Sequence, residues 1–224
     1  MDLNVQIFTG GCREQADIDA EQILKKLRRI SEKVNIKSGL IGWNIDMDIS
    51  GIVSFLKDVG ADVFLWMPVF SELDGMADFS PLIGEKGEVT INYDRGNGEA
   101  FNFCCPANTE NTEKVLDIYE KYYSGKDYDG IFIDKIRFPS FIGETDSVHS
   151  CYCDYCKRNF DIPDPHELSP FDVVNPLGIT RYSNLRYEMD DIYKKLFDYK
   201  DIAVYTSIKR LCDYFKKQNM KRQI

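Results

Sequence analysis

The sequence predicts an α/β fold, wound as part of a (β/α)8 barrel. Three observations carry this. Strand-like and helix-like patterns alternate about four times along the 224 residues, and repeated βα units with helical crossovers imply a parallel sheet. The strand candidates are short, mostly apolar runs, as expected of strands buried on both faces. The long irregular stretches follow strands and never precede them, and in a barrel that is the face where function resides.

Residues 5–9 read as a short buried strand ending at Gly10-Gly11. A helix follows from about Asp19, with Ile23, Leu24, Leu27, Ile30 and Val34 at helical spacing on one face. Residues 39–44 form a second strand. The next helix begins near Ile49 and Ser50, carries Ile52, Val53, Phe55 and Leu56, and stops at Gly60. Residues 61–67 are a third strand, almost unbroken in apolar character. From about 71 to 108 the rhythm gives way to a Gly-rich polar loop with short strands at 89–93 and 100–103. A helix over 113–123, with Val115, Leu116, Ile118, Tyr119 and Tyr122 on its apolar side, leads to a fourth strand at 128–134. Beyond Pro139 lies a second long insertion with a cysteine cluster and the segment Ile162-Pro163-Asp164-Pro165. Helical patterns resume near Arg181 and again over about 202–217.

The expected architecture is a single domain, 1–224, holding a partial TIM-type (β/α)8 barrel of about four βα units, with long loops after strands three and four. A full barrel takes about 250 residues and eight strands. No apolar strand pattern follows the last helix, so the barrel is expected to be incomplete at the C-terminus. The rival is a doubly wound open sheet. No strand here is followed by phosphate-cradling glycines, since Gly10-Gly11-Cys12-Arg13 lacks the spacing.

Composition narrows the function. A formal net charge of −9 argues against the basic footprint that nucleic acid requires. No apolar run approaches the ~20 residues of a membrane span. Met1-Asp2-Leu3-Asn4 is not a basic-then-apolar leader, which leads to the expectation of a cytoplasmic protein.

Seven cysteines in such a chain are not expected to form a disulfide framework. Cys151, Cys153 and Cys156 place three thiols within six residues, a spacing suited to tetrahedral zinc. The candidates for a fourth ligand are Cys105, Cys104 and His149. His149 precedes Cys151 by two residues and would need a sharp fold to join it. Cys105 lies 151 − 105 = 46 residues away, one αβ unit, which returns the chain to the neighbouring strand; it is preferred, with Cys104 second. Four thiolates leave no open position, so the zinc would be structural.

Carboxylates at barrel strand ends face the cleft. Asp134 ends the run Gly130-Ile131-Phe132-Ile133, where a charge is costly unless solvated or paired. Glu72 lies just past the third strand and Asp46 past the second. Glycoside hydrolysis needs two carboxyl groups, which makes Asp134 and Glu72 the catalytic candidates. Asp46, Arg137, Trp43 and Trp66 are candidates for binding substrate, through hydroxyl contacts and ring stacking; Phe70 and Tyr93 also lie near strand ends. For each aromatic, core packing is the competing role.

The segment Tyr128-Asp129-Gly130-Ile131-Phe132-Ile133-Asp134-Lys135-Ile136-Arg137-Phe138-Pro139, followed by Cys151-Tyr152-Cys153-Asp154-Tyr155-Cys156, resembles glycoside-hydrolase-like barrel proteins. In these an Asp-x-x-Arg-[Phe/Tyr]-Pro segment on strand four precedes a Cys-x-Cys-x-x-Cys loop. Cys105-Pro106-Ala107-Asn108 is similar to their segment entering the preceding helix, and the resemblance covers most of residues 1–220. More distantly, the cysteines are similar to the zinc site of family-42 β-galactosidases, where a remote cysteine joins such a triplet. This implies Cys105, Cys151, Cys153 and Cys156 as zinc ligands. It also implies an acid at the end of strand four, the place of Asp134, although this sequence has Asp-Lys where that family has Asn-Glu. The family's nucleophile sits on a seventh strand, for which this sequence offers no match. The expected function is a glycoside-hydrolase-like domain acting on or binding carbohydrate, with a structural zinc. The alternatives are a carbohydrate-binding remnant without catalysis and a zinc-stabilised interaction module. Open sheet edges invite two copies to pair as a homodimer.

Overall fold

The structure is a computed structural model that describes residues 2–13, 19–84, 87, 89, 93–94, 100–101, 103–138, 150–162, 191–218 and 221–223. Pro139, His149, the prolines at 163 and 165 and the helix expected near Arg181 lie outside the described residues. In chain order the elements are β1 (Asp2–Ile7), α1 (Ala20–Ser31), β2 (Asn35–Ile41), α2 (Ser50–Asp58), β3 (Asp62–Pro68), β4 (Tyr93–Asp94), β5 (Ala100–Phe101), α3 (Thr109–Tyr122), β6 (Gly130–Asp134), α4 (Asp154–Asn159), α5 (Asp191–Lys217) and β7 (Lys221–Gln223). They fall into two compact units. One comprises Met1–Gly75, Lys114–Ile136 and Leu211–Ile224; the other comprises Met76–Glu113 and Arg137–Arg210.

The first unit is built on a parallel sheet in the order β1-β2-β3-β6-β7. Each strand adds to the same edge as the one before, with no reversal of direction. That winding is compatible with a partial barrel, whereas a doubly wound sheet reverses at a switch point. In β3 the consecutive residues Val63, Phe64 and Leu65 are all buried, as its unbroken apolar run predicts. α1 starts where Asp19 accepts the Gln22 N–H at 2.8 Å, a side-chain N-cap. It buries Ile23 and Leu27 against a core of Ile7, Ile36, Ile41, Ile52, Leu56 and Val63. A Cβ at Gly39 would stand 2.5 Å from Leu56 Cδ1, so the glycine lets α2 settle close on β2. The register sets Pro68 opposite Asp134, which levels the C-terminal ends of β3 and β6.

One strand departs from the sequence reading. Lys221–Gln223 pairs in parallel with β6, Gly130 opposite Lys221, where no strand is expected. The ladder is made by backbone groups, which need no apolar side chains, so hydropathy carries no sign of it.

The second unit contains the short antiparallel pair β4 and β5, α4 and most of α5. Its polar clamp is Asn111, whose carboxamide accepts from Ser80 N–H at 2.8 Å and donates to the carbonyls of Ser80 and Cys105 at 2.9 and 3.0 Å. Thr112 Oγ1 donates to Ser207 Oγ, which donates to the Pro106 carbonyl, both at 2.9 Å. These bonds fix the turn that carries Cys105. Along α5, Leu196, Tyr199, Ala203 and Ser207 are buried at helical spacing. Among the described residues no helix is long and apolar enough to cross a membrane.

Candidate functional site

The second unit gathers the sulfurs. Cys105 stands in the turn before α3. Cys151 and Cys153 lie in the approach to α4, and Cys156 is in its first turn. The four Sγ atoms all lie within 4.8 Å of one another. Cys105 and Cys156 are 3.4 Å apart, and Cys153 is 3.9 Å from Cys105. All four are free thiols. A tetrahedron with metal–sulfur bonds of ~2.3 Å has sulfur–sulfur edges of about 3.8 Å, so the separations fit one metal ion. The donor set suits zinc, or iron in the same geometry. Cys104 is buried beside Cys105 but stands outside the group.

Crowding four thiols splits their proton affinities. Hydrogen bonding with Cys105 above all pulls Cys153 well below the usual thiol range, while hydrogen bonding with Cys151 above all pushes Cys105 far up. A cation that takes all four as thiolates relieves this conflict. Two donors from the protein also reach the sulfurs. Ile83 N–H donates to Cys151 at 3.4 Å, and the Tyr199 hydroxyl donates to Cys156 at 2.9 Å. Burial above all, then the nearby sulfurs, push the Tyr199 hydroxyl far above the usual phenol range.

The first unit gathers aromatics and acids at the C-terminal ends of its strands. Asp134 ends β6, and both of its side-chain oxygens accept hydrogen bonds. Oδ2 accepts from Trp66 Nε1 at 2.9 Å and Oδ1 from the Lys135 N–H at 2.6 Å. Glu72, just past β3, forms an ion pair with Lys135. Both members of that pair have left-handed backbones, φ 59° and 53°, and among the described residues no other non-glycine does. Side chains resist that region, and it persists only where surroundings enforce it. Trp43 Nε1 donates to the Glu72 carbonyl at 3.0 Å, which supplies part of the enforcement. Trp43 and Trp66 meet edge to face at 5.2 Å, and Phe8 lies 6.0 and 6.3 Å from them.

The strand ends thus bring together four of the residues singled out from sequence: Asp134, Glu72, Trp43 and Trp66. Trp43 is only 3% exposed and Phe70 is fully buried, so both pack. The open ring is Phe8, 54% exposed. The sequence reading placed it inside a buried strand; β1 instead ends at Ile7, and the signal was the glycine pair two residues on. Asp46 joins another network, 3.5 Å from Arg13. Arg13 is bidentate to Asp74 at 2.7 and 3.1 Å, and the Tyr122 hydroxyl donates to Asp74 at 2.5 Å. Arg137 belongs to the second unit, where its guanidinium stands over the Phe103 ring at 5.3 Å. The side chain of Tyr93 lies outside the described residues.

No family model matches this sequence, and no curated protein matches it. Among solved structures the chain is similar to a hypothetical protein from Ruminiclostridium thermocellum, at 13% identity over 74% of this chain and 93% of that one, TM-score 0.44. It is similar to alpha-L-fucosidase isoenzyme 2 from Paenibacillus thiaminolyticus, at 14% identity over 88% of this chain and 30% of that one, TM-score 0.43. It is also similar to an alpha-galactosidase from Thermus thermophilus solved with stachyose, at 13% identity over 58% of this chain and 32% of that one, TM-score 0.39. The chain spans less than a third of the length of these two glycosidases. Likeness at this level leaves function to be argued from the sites themselves.

Proposed function

We propose that this chain is a glycoside-hydrolase-like domain that binds carbohydrate at the strand ends of its first unit, while a structural zinc held by Cys105, Cys151, Cys153 and Cys156 braces its second. The observation that carries the sugar reading is Asp134 held by the Trp66 indole beside the exposed ring of Phe8. A pyranose has hydroxyls that need acceptors and an apolar face that needs a ring, and this corner offers both. A carboxylate has about four acceptor positions, so Asp134 can still take sugar hydroxyls. Asp134 and Glu72 are both arranged as acceptors, one bonded by N–H groups and one paired with Lys135. That favours binding over proton donation, and hydrolysis with Asp134 and Glu72 as its two carboxyl groups is the second reading. The metal, with no open position, contributes a cross-link and no chemistry of its own. Free thiols suit a reducing compartment, so cytoplasmic residence belongs to the same proposal.

Titration with a panel of methyl and aryl glycosides, followed by heat and by release of the aryl group, tests it. Binding without turnover, lost in Asp134→Asn, supports the leading reading. Turnover lost in Asp134→Asn supports hydrolysis. Neither binding nor turnover removes the carbohydrate reading and leaves a zinc-stabilised interaction module. For the metal, elemental analysis of protein purified without added zinc is expected to give one ion per chain, lost in Cys153→Ser. Pairing of two copies through the sheet edge at β1 is checked by light scattering, and a clean monomer removes it.

A further inference from the structure

α5 sends one polar side chain into the sulfur cluster. Tyr199 is 3% exposed, and its hydroxyl lies 2.9 Å from Cys156 Sγ. Its ring is held separately, edge-on between Phe138 at 5.8 Å and Phe160 at 4.7 Å. Packing therefore places the ring, and the hydroxyl is left to act on sulfur.

We infer that Tyr199 is a positioning residue for the metal centre, its hydroxyl donating to the Cys156 thiolate and holding that ligand in the set. The inference rests on the tetrathiolate reading above and adds a residue outside the cysteine motif. Four thiolates around a divalent cation carry two surplus negative charges, and buried charge is costly unless hydrogen-bonded. Cys156 and Cys105 are buried. Ile83 N–H serves Cys151, and Tyr199 does the same for Cys156. A hydrogen bond to a thiolate lowers the energy of its lone pairs, so removing it raises them. The charge on Cys156 is then less well held, and the metal is released more easily. Partners that orient metal ligands typically contribute 10–100-fold in affinity.

The test is Tyr199→Phe in the full chain, which keeps the ring and deletes the donor. Cobalt(II) replaces zinc as a visible probe. The expected result is a dissociation constant raised about tenfold in competition with a chromophoric chelator, and a sulfur-to-cobalt charge-transfer band moved to lower energy. Phe160→Leu is the packing control: it loosens the ring but keeps the donor, and is expected to lower the melting temperature while leaving the band in place. Should Tyr199→Phe fail to fold, 3-fluorotyrosine at position 199 is the substitute. Its hydroxyl is a stronger donor on the same ring, so the band is expected to move to higher energy. A Tyr199→Phe chain with wild-type affinity and band overturns this inference alone. A wild-type chain that binds neither cobalt nor zinc overturns the tetrathiolate reading with it.

Discussion

Asp134 gives one carboxylate oxygen to the Trp66 indole and the other to the Lys135 N–H. Asp134→Asn keeps the size of the side chain but turns one acceptor into a donor that faces another donor. Leaving a partly buried donor unsatisfied costs about 1–3 kcal/mol, and urea denaturation is expected to show a loss in that range together with the lost sugar binding. An unchanged midpoint would mean that Trp66 and Asp134 are not bonded in solution. Asp74 makes a second prediction at this scale. The Arg13 guanidinium above all, then the Tyr122 hydroxyl, hold its carboxyl down at about 2. A depressed carboxyl contributes stability that is fully present above its ordinary value of 3.8 and is lost as pH falls through about 2. Urea midpoints for wild type and Arg13→Met are therefore expected to differ above pH 3.8 and to converge below about 2. Curves that stay parallel throughout that window would discard the coupling. Residues of this kind are unevenly legible. Asp134 stood out because a charge closes an apolar run, and the cysteine triplet because its spacing is local. Lys135 and Tyr199 did not, because their roles come from backbone conformation and from a partner 43 residues away, 199 − 156.

At the scale of elements, the legible parts were those whose side chains announce their burial. β6 lies within its expected run, β3 is shifted from its own by one residue at each end, and α1 begins one residue after the Asp19 cap. Asp19→Ala removes the acceptor for Gln22 N–H and is expected to cost about 1 kcal/mol, measured as a fall in the denaturation midpoint with Asp19→Ser restoring most of it. The illegible parts were backbone-made. β7 is three polar residues recruited by the edge of β6. α3 starts at Thr109 rather than at 113 because Asn108 accepts the Glu110 N–H and Asn111 anchors the turn. Those bonds extend the helix beyond its apolar stripe.

For the whole molecule, the proposed metal is the largest single adjustable term. A ligand that binds only the folded chain, present at a thousandfold excess over its dissociation constant, stabilises by about 4 kcal/mol. At ~2–4 °C per kcal/mol for a chain of this size, chelation is expected to lower the melting temperature by roughly 10 °C, with zinc restoring it. Calorimetry with and without chelator reads this directly, and a melting temperature indifferent to chelator would remove the structural metal. The winding β1-β2-β3-β6 followed from counting βα units in the sequence, and β7 at its edge did not. The division into two units did not, because α3 and α5 each run through both and nothing in their hydropathy marks the boundary.

The spacing of the sulfurs also sets an order in time. On the ribosome Cys105 is made first, the triplet from Cys151 to Cys156 follows 46 residues later, and Tyr199 another 43 residues after that. At roughly 5–20 residues per second, each interval lasts seconds. The newborn chain therefore offers a complete set of thiols to the cell's metal pool before α5 exists to shield them. The hold on Cys156 inferred for Tyr199 can act only afterwards, on an ion already captured.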